Sequence, residues 1–337
     1  MIARRTLIAG LAGLPLIARP AWAAATLPTV GKIERRDPAL DAIIDVTAPI
    51  EVIAQGIHWA EGPVWVPQQR CLLFTDPPAN IAYRWRPGGK AEPFLSPAGL
   101  QTPIPGTIRE AGLNGLTLDR SGALLGADSG TRAIVRIDLT TRRRTILADR
   151  YEGKRFNSPN DLCVAASGAI YFTDPTYGLA EGDASPLREV NHTGLYRLTP
   201  DGKVTLIDGS HRRPNGVALS PDGKTLYLAL SDDVAPEIIA YDLGRDGLPT
   251  GSRRFRDMRK ELGEGLPGLP DGIKVGSGGI LFATGPGGVY ICAPDGTVLG
   301  LVSTGKAIAN CCFGEDGKSL FLTSSDMVAK VRLKVKQ

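Results

Sequence analysis

The feature that most constrains this chain is a phrase that recurs along nearly its whole length. In its clearest copy, Pro214-Asn215-Gly216 leads into an apolar run, a Pro221-Asp222-Gly223 turn follows, and a second apolar run starts at Leu226. Alternating runs on either side of turn residues make a β-hairpin. Further copies start at Asn114, Asn160, Asp271 and Asn310, and a looser one at Glu61. Successive lead residues lie 53, 46, 55, 56 and 39 positions apart. Each unit also carries a second pair of strand-like runs, such as 194–198 with 204–207. A period of about 40–50 residues with several strands per unit is the mark of a β-propeller. Six copies predict an all-β, six-bladed β-propeller with a site in its central channel.

Repetition carries a geometric consequence. If each copy is the same strand of its blade, the lead residues Glu61, Asn114, Asn160, Asn215, Asp271 and Asn310 ring one end of the channel at equal height. All six carry oxygen acceptors, and none is a lysine or arginine. Such a ring suits a hard divalent cation. Glu61 and Asp271 balance two positive charges, and asparagine amide oxygens complete the protein's share of the shell. Calcium is the expected metal, with zinc, manganese and magnesium also compatible with an all-oxygen set. The competing explanation is that Asn-Gly and Asp-Gly are ordinary turn dipeptides. It accounts for any single copy, but poorly for Glu61.

The two ends of the chain have separate roles. Arg4-Arg5 precede an apolar run over 7–18, and Ala21-Trp22-Ala23 forms a small-x-small cleavage site. Residues 1–23 therefore read as an export signal. The paired arginines point to the Tat route, a Sec signal with two chance arginines being the alternative. The Tat machinery is thus an expected partner and the periplasm the expected location, with no stable membrane insertion after cleavage. Arg4, Arg5 and Arg19 are the only charges in the signal, so its removal takes the formal charge from +4 to +1. The apparent basicity belongs to the signal, and no nucleic-acid partner is expected. Residues 24–49 form a leader segment, and 50–337 a single propeller domain. The run 50–54 is expected to pair with the C-terminal run 327–333, closing the ring and removing open edges.

Much familiar chemistry is absent. There are three histidines, His58, His192 and His211, little for a histidine-based zinc site. No G-x-S-x-G elbow and no Walker loop occur. Four of the five cysteines sit in apolar runs, which favours buried thiols. What is left is a cation with carboxylates, a set suited to ester or lactone hydrolysis through a polarised carbonyl. Three insertions, 95–112, 176–193 and 257–269, are placed to build the channel mouth.

The sequence carries Ala60-Glu61-Gly62-Pro63-Val64-Trp65, Ser158-Pro159-Asn160-Asp161, Phe172-Thr173-Asp174-Pro175-Thr176-Tyr177-Gly178, Arg213-Pro214-Asn215-Gly216-Val217, Pro270-Asp271-Gly272 and Asn310-Cys311-Cys312-Phe313-Gly314. Together these motifs resemble the gluconolactonase/SMP-30 (regucalcin) family of six-bladed propeller lactonases, and more distantly the paraoxonase and diisopropyl-fluorophosphatase enzymes. The resemblance implies hydrolysis of a lactone, expected here to be sugar-derived. It implies a divalent metal held by Glu61, Asn160, Asn215 and Asp271, with Asp271 as general base. Asn160 matches a residue that binds metal in some members and substrate in others. Asn114 and Asn310 are further candidates for substrate contact from the ring. Asp174 and Tyr177 lie on a loop that could face the mouth, although Asp174 could equally cap a strand end. His58, three residues before Glu61, is either a proton shuttle or a stray strand histidine. One departure stands out: Ser158 occupies the position where some members place an arginine that grips an acidic sugar, and Arg155 or Arg213 would have to replace it. The rival functions are a non-catalytic ligand-binding propeller with structural calcium, and an aryl-ester or organophosphate hydrolase on the same site.

Overall fold

The computed structural model describes residues 27–337, so the expected export signal, 1–23, lies outside the described residues. Six antiparallel sheets stand in a ring, each with one edge strand innermost. The inner strands are Glu61–Val66, Leu113–Leu118, Leu162–Val164, Pro214–Leu219, Ile273–Val275 and Ile308–Gly314. We number the blades one to six in that order. In blade one the chain then passes outward through Cys71–Asp76, Ile81–Trp85 and Glu92–Leu95. Each inner strand packs beside the next, and the last packs beside the first. The fold is a six-bladed β-propeller.

Closure takes the form the sequence suggested. The three inner strands of blade six come from the C-terminal end of the chain, and the outermost, Glu51–Gln55, comes from the N-terminal side. It pairs antiparallel with Met327–Arg332, Val52 facing Ala329 and Gln55 facing Met327. Residues ahead of that strand are also built in. Lys32–Arg35 adds a fifth strand to blade five beside Val298–Ser303, and a short turn over Pro38–Ala42 buries Leu40.

The core lies between blades rather than at the axis. The second strand of a blade is covered on both faces, so it reads as a continuous apolar run instead of an alternating one. Cys71–Asp76 and Ser319–Ser324 are buried at every position. Between blades five and six, Phe282, Val289, Leu320 and Leu322 share one cluster. Each such side chain contributes roughly 1.5–3 kcal/mol on burial. Trp65 of blade one stacks on Phe321 of blade six at 5.6 Å between ring centroids, which welds the seam where the chain ends meet. All five cysteines are free thiols, and four are buried.

Four of the lead residues, Glu61, Asn114, Asn215 and Asn310, sit where the inner strands are bulged, whereas Asn160 and Asp271 lie just ahead of theirs. Register breaks fall between Glu61 and Val64, Leu113 and Leu116, Pro214 and Val217, and Ile308 and Asn310. A bulge ends regular pairing and re-aims a side chain. The glycines that follow serve close approach. A Cβ on Gly216 would lie 2.0 Å from the Asp271 carbonyl oxygen, and one on Gly272 would lie 2.1 Å from the Asn310 Cγ. Neither glycine has a left-handed backbone. These Asn-Gly and Asp-Gly pairs are therefore not turns. They are points where adjacent blades touch around the channel, so the turn-dipeptide explanation fails for them.

Candidate active site

At one end of the channel a cavity of about 410 Å³ opens to solvent. Glu61, Asn114, Asn160, Asn215 and Asp271, five of the six lead residues, line it. Asn310, the sixth, is buried and does not reach the cavity wall. The insertions supply the mouth. Residues 107–110 and 178–180 are stitched together: Arg109 N–H donates to the Gly178 carbonyl at 2.8 Å, and Ala180 N–H to the Thr107 carbonyl at 3.0 Å. This presents Arg109, Glu110 and Tyr177 to the cavity, while 257–269 contributes Gly268 and Leu269. Trp59, Arg213 and Ser231 complete the polar and aromatic lining.

The orientation of Asn215 follows from a chain of donors. The Pro270 carbonyl can only accept, so the Ser231 hydroxyl donates to it, at 2.6 Å. The Ser231 oxygen then accepts from Asn215 Nδ2 at 2.8 Å. The amide oxygen of Asn215 consequently points the other way, and it is buried with no hydrogen-bond partner. A buried acceptor without a donor is costly unless a cation or ligand proton meets it.

The carboxylates show the same shortage of positive charge. Burial pushes the Glu61 carboxyl well above the usual range, with the Asp161 and Glu110 charges adding to the effect. Burial also raises Asp271, followed by the charges of Glu61, Asp161 and Glu110. Glu110 is itself raised by burial. Two acids that resist ionisation beside an orphaned amide oxygen form a set that a dication would stabilise. Among the described residues no group of three or more His, Cys, Asp and Glu is disposed to hold a metal. Glu61, Glu110 and Asp271 line the cavity without converging as such a group, and asparagine amides stand between them.

The cavity wall is rich in donors. Tyr177 has its hydroxyl buried without a partner, and so does the Nε of Arg213. Neither Arg109 nor Arg213 forms a salt bridge among the described residues. Arg213, one of two replacements considered for the family arginine, lines the cavity, whereas Arg155 turns to the Thr131 carbonyl. Ser158 is buried, donating to the Pro175 carbonyl and accepting from Gly178 N–H.

Two further candidates sit elsewhere. Asp174 is fully buried, accepts from the Asn157 and Ser158 amides at 2.8 Å each, and is absent from the cavity wall. Asp76 does the equivalent work in blade one, accepting from the His58 and Trp59 amides. Both carboxylates tie down the loop that enters an inner strand. His58 also rests its ring on Asp76 at 3.1 Å and otherwise faces solvent. Arg109, Glu110, Trp59 and Ser231 carried no motif; the only signal for the first two was their place in a long insertion.

Comparison with known proteins agrees with this fold. The family model described as the SMP-30/gluconolactonase/LRE-like region matches residues 59–326. A gluconolactonase of Zymomonas mobilis is 52% identical over 310 residues, 91% of this chain and 87% of that one. A pentonolactonase of Haloferax volcanii is 28% identical, covering 81% and 84%. The solved structure of a gluconolactonase from Xanthomonas campestris superposes with a TM-score of 0.78 at 32% identity, covering 91% of this chain and 98% of that one.

Proposed function

Since the chain belongs to the SMP-30/gluconolactonase/LRE-like family, we propose that it is an enzyme that hydrolyses a sugar-derived lactone to the hydroxy acid, with a divalent cation, calcium in the first instance, as its cofactor. Glu61, Asn160, Asn215 and Asp271 would hold the ion. These residues fit it: the unpartnered Asn215 amide oxygen and two carboxylates kept from ionising share one cavity. When bound, the cation polarises the lactone carbonyl and stabilises negative charge on its oxygen.

The chain's own residues supply the remaining steps. Arg109, Arg213 and the Tyr177 hydroxyl donate hydrogen bonds to substrate oxygens and fix the ring in the cavity. Asp271 takes a proton from water as the water oxygen bonds to the carbonyl carbon. The bond from that carbon to the ring oxygen then breaks. Asp271 returns the proton to the departing oxygen, which becomes the hydroxyl of the product. Loops 107–110 and 178–180 cover one side of the cavity and limit bulk water there. We further propose that the mature protein works in the periplasm after Tat export, as the paired Arg4-Arg5 suggest.

The observation that carries the reading is the Asn215 amide oxygen of the cavity wall, turned away from Ser231 and left buried without a donor. The test is proton release from a panel of aldonolactones, before and after EDTA, with calcium, magnesium, manganese or zinc restored singly. Hydrolysis that EDTA removes and one metal restores is expected. Asp271→Asn should lower kcat/KM by about 10²–10⁴-fold, the usual worth of a general base, while the fold persists. Hydrolysis that survives EDTA would overturn the metal's role. A metal-loaded protein that opens no lactone would favour the ligand-binding reading.

A further inference from the structure

Arg109 and Glu110 reach the cavity from a stretch with no regular structure of its own. Between Leu95, the end of blade one, and Leu113, the start of blade two, the chain forms neither strand nor helix, and 101–106 is exposed throughout. Beneath it lies a small apolar cluster of Ile108, Ala111 and Leu179. Such a stretch has little burial to order it. A side chain carried on it grips substrate well only if the backbone is fixed beforehand, because ordering on binding costs affinity.

Two side chains from neighbouring blades fix it. Asn80 follows the second strand of blade one, is buried, and has a left-handed backbone with φ 59°. Its Oδ1 accepts from the Ala98 and Gly99 N–H groups at 3.1 and 2.6 Å, and its Nδ2 donates to the Leu100 carbonyl at 2.8 Å. Arg144 opens Arg144–Ala148, the outermost strand of blade two. Its guanidinium donates to the Gly99 carbonyl at 2.7 Å and to the Ala98 carbonyl, and is held by the fully buried Asp128 at 2.8 Å. The Leu100 N–H donates to the Ala111 carbonyl at 2.7 Å, which ties the two ends of the loop together. Every backbone N–H and carbonyl of 98–100 is thereby paired. At the far end the Gly178 carbonyl accepts from both the Arg109 and Glu110 N–H groups, at 2.8 and 3.2 Å. Neither Asn80 nor Arg144 lines the cavity.

We infer that Asn80 and Arg144 are positioning residues: by clamping 98–100 between blades one and two, they hold 107–110 against Gly178 before substrate arrives and so place Arg109 for its hydrogen bond to substrate. This rests on the lactonase reading given above. Full pairing of three successive loop residues by side chains from two blades is what makes the loop part of the rigid wall.

The first test is hydrogen–deuterium exchange, which needs no turnover. Asn80→Gly removes the side chain and leaves the left-handed backbone unstrained. The Arg109 and Glu110 amides should then exchange about tenfold faster or more, while those of the inner strand Leu113–Leu118 stay protected. The second test is steady-state hydrolysis of glucono-δ-lactone, corrected for its spontaneous rate. KM should rise by up to about 10²-fold with kcat little changed, because Arg109 holds substrate and transition state alike. A general loss of folded enzyme would instead lower kcat and leave KM alone, which would overturn the inference. Should Asn80→Gly fold poorly, Arg144→Met removes the other half of the clamp; it is made together with Asp128→Asn, so that no buried charge is left unpaired, and the same rise in KM is expected. Adding Arg109→Met to either background should raise KM no further than Arg109→Met alone. Unchanged exchange, faster exchange with wild-type KM, or losses that multiply with Arg109→Met would each overturn the inference. A wild type that opens no lactone while the variant still exchanges faster would overturn the lactonase reading, and the positioning role with it, and leave only the clamp.

Discussion

The electrostatics of the cavity make a quantitative prediction about pH and metal. Without a cation, the Glu61 carboxyl is pushed up to about 8, and Asp271 is raised as well. Both must ionise for a dication to bind, so binding competes with protons. Glu61 alone is about 1% ionised at pH 6 and about half ionised at pH 8, which makes metal affinity rise about 50-fold over that interval; Asp271 adds to this in the same direction. The stability consequence has a definite sign. An acid whose folded pKa is raised loses its proton first in the unfolded chain. Stability of the metal-free protein therefore falls as pH rises from the unfolded value of 4.5 toward 8. At about 1.4 kcal/mol per pH unit, the Glu61 share is on the order of 3 kcal/mol at pH 7. For a domain of this size that is about 5 °C in Tm. Bound metal removes the penalty. The assay is thermal unfolding at pH 5, 6, 7 and 8, with saturating calcium and with EDTA. The gap between the two curves should widen with pH, and calorimetry in buffers of different ionisation enthalpy should show protons released on binding at pH 7. A gap independent of pH, with no proton release, would refute the reasoning.

Three other perturbations test separate parts of the structure. Gly216→Ala forces a Cβ to within 2.0 Å of the Asp271 carbonyl. A loss of about 1–3 kcal/mol is expected from overpacking, together with a displaced Asp271 and a fall in kcat; wild-type turnover would contradict the close approach. Arg213→Met removes a donor that faces the cavity without an acid partner, and should raise KM for polyhydroxylated lactones more than it lowers kcat in steady-state kinetics. Ala329→Pro falls in a strand paired on both sides, to Val52 and Leu322. It should cost about 1–3 kcal/mol by leaving a buried ladder acceptor without its donor, visible as a lowered midpoint in urea unfolding.

Parts of this site were legible because repetition is a geometric statement. Once Glu61, Asn114, Asn160, Asn215, Asp271 and Asn310 were seen as the same position in six blades, their convergence followed without any contact being known. The pairing of 50–54 with 327–333 was legible for a similar reason, since each run needed a strand partner. Asp174 shows the limit of this reasoning. Its neighbours suggested a loop facing the mouth, but two backbone amides claim its carboxylate, as two claim Asp76 in blade one. Arg109 and Glu110 were hidden because what faces the cavity depends on how 107–110 is stitched to 178–180, two stretches about 70 residues apart that share no motif.

The sequence by itself determined the number of blades, the ring of oxygen-bearing lead residues and the strand that closes the ring. Each of these is fixed by periodicity and by the need to pair every strand. The tertiary structure decided which atom of each lead residue the site can use. Asn215 offers its oxygen because Pro270, 55 residues away, can only accept and so commits Ser231. Asn310 has its oxygen taken up by Lys274 and the Cys311 amide, so only its nitrogen is left to donate. An amide is a donor at one end and an acceptor at the other, so its chemistry depends on partners that only folding brings together.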